Sequence, residues 1–116
     1  MRICVTGSNG QVGTEGVELA TTAGHEVFAL GSADVADPAV MGEAIGAARP
    51  DAVIHCAAYT DVDGCESDPE RAQRVNADGV RVVAEAAERI GPETRVVAVS
   101  TDYVFDGTKV GPYVES

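Results

Sequence analysis

Four consecutive residues, Ser100-Thr101-Asp102-Tyr103, bring two hydroxyls, a carboxylate and a phenol together near one end of the chain. A hydroxyl in this setting can hydrogen-bond a substrate carbonyl and polarise it for hydride attack. Ser, Thr and Asp also shape ordinary loops by bonding to the backbone, and this interpretation is equally open. Which of the two applies depends on where the fold places these residues.

A second segment, at the other end, has the residue types that bind phosphate. A short apolar run leads into Gly7, Gly10 and Gly13, and an amphipathic segment follows. Gly7 permits a tight turn, Gly10 lets the backbone approach a pyrophosphate, and Gly13 lets a helix pack close to the strand. The N–H groups and the macrodipole of that helix attract phosphate. The glycines therefore predict a nucleotide site, although such spacing also occurs in ordinary turns.

Composition narrows the class of protein. With 116 residues and 45% hydrophobic content, the chain is long enough for one domain with a core, 1–116. It has neither an apolar run of membrane-spanning length nor a signal-peptide pattern, so we expect a cytoplasmic protein with no membrane partner. Three cysteines without a C-x-x-C pair fit reduced thiols. The formal net charge of −11 argues against a nucleic-acid partner.

Two groups of side chains have metal-ligating types, and neither predicts a metal site. His55 and Cys56 are neighbours in an apolar strand, so they point to opposite faces and do not converge with Cys65. The acidic residues from Asp61 to Asp68 are explained as well by a solvated loop and a helix cap. We therefore expect no metal.

Strand and helix patterns alternate along the chain. Short apolar runs predict strands, and apolar residues at three- and four-residue steps predict helices. Val12, Leu19 and Ala20 are expected to face inward on the first helix. The predicted strands are 2–6, 26–30, 52–57 and 95–99, the predicted helices are 11–23, 38–48 and 69–90, and 58–67 is irregular.

This βαβαβαβ order predicts a Rossmann-type, doubly wound parallel sheet with right-handed crossovers and strand order 3-2-1-4, as the first part of a longer fold. Ligands of such sheets lie at the carboxyl ends of the strands where the order reverses, here between strands 1 and 4. The segments 7–13, 57–60 and 100–103 all fall at carboxyl ends. Strand 4 would be an exposed edge, which favours self-association into a homo-oligomer.

The end of the second strand bears on the cofactor. An acidic residue there would bind the ribose 2′-hydroxyl and favour NAD. The chain has Gly31 and Ser32 instead, with Asp34 following, and no basic residue stands there to attract a 2′-phosphate. NADPH and NADH therefore both remain open.

Five segments together resemble the dTDP-4-dehydrorhamnose reductases, which are extended-type members of the short-chain dehydrogenase/reductase superfamily. The most specific are Ala-Ala-Tyr-Thr-Asp-Val-Asp at 57–63, which ends the matching segment 49–63, and Ser-Thr-Asp-Tyr-Val-Phe-Asp-Gly at 100–107. The others are 5–13, 66–70 and 75–79. The resemblance implies reduction of the 4-keto group of a dTDP-4-dehydro-6-deoxy-hexose by a nicotinamide cofactor, which completes dTDP-L-rhamnose.

The resemblance also implies roles for individual residues. Thr101 matches the catalytic hydroxyl residue, which also contacts substrate, and Asp102 matches a second substrate contact. Asn76 matches a helix asparagine that supports the active site. The residues matched to cofactor binding are Gly7, Gly10, Gln11, Val12, Gly13, Asp34, Val35, Ala58, Tyr59, Thr60 and Val99.

Two departures from the family pattern matter. His55 stands where relatives often carry asparagine, and the family's Tyr-x-x-x-Lys is absent from residues 1–116. In that motif the tyrosine gives the proton and the lysine lowers its pKa. We therefore expect the cofactor-binding portion of the enzyme, inactive by itself. The alternatives are a related NAD-dependent sugar-nucleotide epimerase or dehydratase, or a non-catalytic nucleotide-binding regulatory subunit of this fold, such as that of methionine adenosyltransferase.

Overall fold

In the computed structural model, residues 1–114 are described, and strands alternate with helices as the sequence predicts. The strands are β1 (Arg2–Thr6), β2 (Glu26–Leu30), β3 (Ala52–His55) and β4 (Arg95–Ala98). The α-helices are α1 (Gln11–Thr22), α2 (Pro38–Ala48), α3 (Val62–Ser67), α4 (Pro69–Gln73) and α5 (Gly79–Glu88). A π-helical turn (Arg74–Asp78) joins α4 to α5, and a 3₁₀ turn (Asp102–Val104) follows β4.

All strand pairs in the four-stranded sheet are parallel, and the order is β2-β1-β3-β4. The predicted Rossmann-type parallel sheet is confirmed, but the predicted strand order 3-2-1-4 is wrong. The helix α2 carries the chain back across β1, so β3 pairs with β1 on the side away from β2. The strand order therefore reverses between β1 and β3, and the ligand-binding position of the fold lies there rather than between strands 1 and 4.

Two separate apolar layers explain this order. On one face of the sheet, Cys4 and Val53 pack with Met41 of α2 and Val83 of α5. On the other face, Ile3 and Val5 pack with Ala20 of α1. Right-handed crossovers place helices on opposite faces when the chain moves in opposite directions along a sheet. Because α2 shares its face with α5 and not with α1, the second crossover runs opposite to the first.

Local sequence signals set most of the helix ends. Asp37 caps α2 by accepting hydrogen bonds from the amides of Ala39 (2.8 Å) and Val40 (3.2 Å), with Pro38 in the first turn. Gly24, at φ +81°, ends the first helix in the left-handed conformation. The predicted inward positions of Val12 and Leu19 are wrong, because both side chains are more than half exposed.

The segment between β3 and α5 departs most from prediction. The stretch expected to be irregular contains α3, which Asp61 caps through the amide of Gly64 at 3.0 Å. The single long helix expected after it is instead α4, the π-helical turn and α5. None of the helices in the described part of the chain has the length and apolar character that a membrane crossing requires.

Candidate functional site

A cleft of about 330 Å³ opens at the carboxyl ends of β1 and β3, where the strand order reverses. It is formed by the glycine turn after β1, the loop after β2, the loop after β3 and the π-helical turn. Five of the residues matched to the family's site line it, namely Gly7, Gly10, Asp34, Val35 and Ala58. The other lining residues are Gly31, Ala33, Cys56, Ala57 and Val75.

The glycine turn packs too tightly for side chains. Gly7 has φ +64°, and a Cβ there would lie 2.6 Å from the backbone nitrogen of Ala57. The Gly7 amide donates to the Leu30 carbonyl at 3.2 Å, and the Gly10 amide donates to the Gly7 carbonyl at 2.9 Å. The turn is therefore held against the ends of both β2 and β3. Only glycine combines this conformation with such close approach.

The first turn of α1 offers donors to an anion. Gly10 is the N-cap residue, and no side chain caps the helix there. The amides of Gln11 and Val12 belong to the first turn, where N–H groups lack intrahelical partners. No acidic residue lies in that turn, so nothing cancels its positive end. Gly13 is buried, and a Cβ on it would lie 2.8 Å from the Cα of Ser8, so the helix starts directly against the turn.

An ion pair joins the loop after β2 to the π-helical turn. Asp34 pairs with Arg74 of the π-helical turn. The hydrogen bond from Arg74 lowers the pKa of the Asp34 carboxyl below its ordinary value, and the Ala36 amide, 3.1 Å from Oδ1, adds to this. The carboxylate therefore stays charged at neutral pH while its charge is balanced. Val35, beside it, is buried against the core.

Tyr59 is held by side chains from α3, α4 and the π-helical turn. The Asn76 amide accepts from the Tyr59 backbone nitrogen at 2.7 Å and donates to the Tyr59 carbonyl at 2.9 Å. The Cys65 thiol also donates to that carbonyl, at 3.4 Å. The Arg71 guanidinium stacks 4.2 Å from the centre of the Tyr59 ring. A Cβ at Gly64 would meet the Tyr59 hydroxyl, so glycine leaves room for the ring.

The π-helical turn explains how Asn76 reaches this backbone. A π turn inserts an extra residue into a helix and shifts the side chains that follow, and such turns are frequent at functional sites. Here the turn contains both Asn76 and Arg74, which bond to opposite sides of the cleft, at Tyr59 and Asp34 respectively. This one turn therefore connects the loops after β2 and β3.

The residues after β4 lie apart from the cleft. β4 is separated from β1 by β3, and neither Thr101 nor Asp102 lines the cleft. Thr101 Oγ1 donates to Asp102 Oδ1 at 3.1 Å and accepts from the Tyr103 amide at 3.3 Å. Both side chains are exposed, as is Val99. Thr60 is also exposed and outside the cleft lining.

His55 lies under the site, in the core. Its Nδ1 is 2.7 Å from Thr6 Oγ1, and the side chain is 2% exposed. Its Nε2 has no hydrogen-bond partner. Burial lowers the pKa of this imidazole below its ordinary value. His55 therefore links the ends of β1 and β3 as a neutral group and does not line the cleft.

Sequence reasoning missed several residues of this site. Asn9 contacts the end of β2 by donating to Ser32 Oγ at 3.1 Å, and Arg74 pairs with Asp34 forty residues away. Their partners are distant in sequence, so only the fold reveals them. Among the described residues 1–114, no three His, Cys, Asp or Glu side chains are grouped as a metal site would need.

Comparisons with known proteins agree with this geometry. The sequence model of a family described as the RmlD substrate binding domain matches residues 1–116. The chain is 45% identical over 117 residues to the dTDP-4-dehydrorhamnose reductase of Burkholderia thailandensis, covering 100% of this chain and 39% of that protein. The crystal structure of such a reductase from Clostridium acetobutylicum matches with a TM-score of 0.89 and 36% identity, over 99% of this chain and 41% of that one.

A third relative carries a ligand. The dTDP-4-dehydrorhamnose reductase of Bacillus anthracis, solved in complex with NADP, matches with a TM-score of 0.85 and 34% identity, over 93% of this chain and 39% of that one. The resemblance drawn from the motifs is therefore confirmed. The chain spans about two fifths of the length of these relatives.

Proposed function

The chain belongs to the RmlD substrate binding domain family, and we propose that it is the NAD(P)H-binding part of a dTDP-4-dehydrorhamnose reductase. The observation that carries this proposal is the uncapped first turn of α1 facing a cleft at the reversal of strand order. Free backbone donors and a helix dipole at that position are the features that hold a dinucleotide pyrophosphate. The family is described by substrate binding, whereas the geometry of residues 1–114 favours binding of the nicotinamide cofactor.

The residues fit such a ligand along the whole cleft. The pyrophosphate would accept from the amides of Gln11 and Val12 and lie against Gly10, with Gly7 and Gly13 keeping the turn compact. Asp34 and Val35 would hold the adenine side. Ala58 would form the wall opposite, and Tyr59 and Thr60 would continue that wall beyond the residues that now line the cleft, with Tyr59 fixed by Asn76. When bound, the cofactor supplies a hydride.

The substrate side would lie after β4. We propose that Thr101 donates a hydrogen bond to the 4-keto oxygen of the dTDP-sugar, polarising the carbonyl. Asp102 would hold a sugar hydroxyl, and Val99 would lie beside the nicotinamide. Tyr-x-x-x-Lys is absent from residues 1–116, so no group on this chain supplies the proton as that motif does. Residues 1–116 would therefore form a domain that binds the cofactor but does not catalyse the reduction by itself.

Titration calorimetry of the purified chain with NADH and NADPH tests the proposal. At least one should bind, and 4-keto-sugar-dependent oxidation by the chain alone should be absent. Absence of binding by both dinucleotides would overturn the proposal, and turnover would overturn the cofactor-only role.

One substitution separates binding from folding. Gly10 has ordinary backbone angles, φ −82° and ψ 168°, and aspartate is a favourable N-cap residue. A Cβ at this position would lie 3.3 Å from the Gly7 carbonyl oxygen, so the turn must shift slightly to accept it. Gly10→Asp should therefore still fold while placing a negative charge against the pyrophosphate. Coulomb repulsion near the surface should weaken binding by about tenfold or more. Gly10→Ser is the matched control, because serine caps the helix without charge and should bind more tightly than Gly10→Asp.

A further inference from the structure

Asn9 lies across the end of β2, where the chain has glycine. A Cβ built on Gly31 would be 2.6 Å from Asn9 Nδ2. The Asn9 amide donates past this glycine to Ser32 Oγ at 3.1 Å. The side chain of Asn9 therefore fills the space into which a side chain at position 31 would project.

This position decides how a dinucleotide site treats its adenosine ribose. In Rossmann folds an acidic residue at the end of the second strand binds the ribose hydroxyls, and a 2′-phosphate is repelled by it. Gly31 is the first residue after β2 and lines the cleft. An acid there would meet Asn9, so the two cannot share the present arrangement.

The charges nearby are also balanced. Asp34 is the one charged residue among those that line the cleft, and it is paired with Arg74. Asn9 and Ser32 are neutral and carry N–H and O–H donors. Asn9 and Ser32 are exposed and are not among the lining residues, so they offer donors to a group that extends past the cleft, and no lining residue carries an unbalanced carboxylate.

From these contacts we infer that Asn9 determines cofactor specificity by occupying the place of the ribose-binding acid, so that the cleft accepts a 2′-phosphate on the adenosine. The inference rests on the proposed dinucleotide-binding function. It adds to that function a residue, Asn9, and a consequence, which is that NADPH is bound at least about as tightly as NADH.

Calorimetric titration of both dinucleotides at physiological ionic strength gives the first test, since the field of distant carboxylates is then screened beyond about 8 Å. NADPH should bind no more than about threefold more weakly than NADH, a difference of about 0.7 kcal/mol. A larger preference for NADH would overturn the inference while leaving the proposed function intact. Absence of binding by both would instead overturn the proposed function.

Two variants test the role of Asn9 itself. In Gly31→Asp, Asn9 should keep the new carboxylate from the ribose. In the double variant Asn9→Ala, Gly31→Asp, the carboxylate can reach the ribose and repel the 2′-phosphate of NADPH. The preference for NADH over NADPH, measured as the ratio of their dissociation constants, should then increase by about tenfold more than in the single variant. Equal shifts in the two variants would overturn the inference.

Gly46→Asp is the matched charge control, because a Cβ at Gly46 in α2 meets nothing within 4 Å. It should leave the ratio of the two dissociation constants unchanged. A shift like that of the double variant would show that net charge, and not Asn9, sets the ratio. Far-UV circular dichroism checks that each variant folds, and the ratio measured for the unsubstituted chain still tests whether the cleft accepts the 2′-phosphate where a variant does not fold.

Discussion

Acidification between pH 6.5 and 5.5 should destabilise this protein through one buried side chain, His55. The imidazole is 2% exposed, bonds to Thr6 through Nδ1 and has no partner for Nε2. Protonation would place a charge and an unsatisfied N–H in the apolar layer between the sheet and α2 and α5, which is strongly unfavourable.

The sign and the size follow from linkage. Burial lowers the pKa of His55 in the folded state below its ordinary value of 6.5. The unfolded chain therefore binds more protons than the folded protein at pH 5.5 to 6.5. The contribution of neutral His55 to the free energy of unfolding is fully present above pH 6.5 and is lost as the pH falls below it. Each pH unit well below 6.5 costs at most about 1.4 kcal/mol, so the drop from pH 6.5 to 5.5 amounts to about 1 kcal/mol at most. This is a measurable fraction of a typical stability of about 5–15 kcal/mol.

Urea unfolding at pH 7.5, 6.5 and 5.5 measures this dependence, and the window lies above the range where most carboxylates titrate. His55→Asn should remove the slope, because the amide can still bond to Thr6 and does not titrate. His25→Asn is the matched control, being the other histidine of the chain. It should retain the slope. A slope that persists unchanged in His55→Asn would refute the reasoning.

Two further expectations concern the cleft wall and the open side of the sheet. Asn76→Ala removes two hydrogen bonds to the Tyr59 backbone, each worth about 1 kcal/mol. The free energy of unfolding should therefore fall by about 1–2 kcal/mol, and dinucleotide binding should weaken. Gln73→Ala removes an exposed amide nearby and should cause neither change, so equal losses in the two variants would contradict the role assigned to Asn76. Val97 is 58% exposed on the edge strand β4, so we propose that the protein self-associates through this edge. Val97→Lys should reduce the self-association measured by light scattering, and Val110→Lys should not. A protein that stays monomeric at high concentration would contradict this proposal.

The local structure was largely predictable, and the strand order was not. Glycine and proline positions, caps and apolar runs are local signals, so the bounds of β1, β2 and α2 agree with prediction. The orders 3-2-1-4 and 2-1-3-4 require the same alternation of elements along the chain. They differ in which face of the sheet α2 covers. That choice depends on whether Met41 and Ile45 pack with α5 or with α1, which is a tertiary contact and not a periodicity.

The site was predictable where backbone conformation dictates the residue. Gly7 must adopt φ +64° against Ala57, and that constraint shows directly in the sequence as glycine. The ion pair and hydrogen bonds between the loops were not predictable in this way. In the sequence Arg74 and Asn76 look like ordinary exposed helix residues, and only the π-helical turn places them against Asp34 and Tyr59. Regular 3.6-residue spacing cannot predict such a turn.

The proposed binding of a dianionic pyrophosphate by a chain with a net charge of −11 runs against the overall electrostatics, and the local geometry resolves this conflict. Donors in the first turn of α1 would act at hydrogen-bond distance, where their partial charges are fully felt. Glu15 and Glu18 lie further along the helix, outside that turn, and are exposed to screening solvent. At physiological ionic strength exposed charges beyond about 8 Å contribute little. Placement of a few balanced or neutral groups, including Asp34 with Arg74, therefore outweighs the overall sign of the protein.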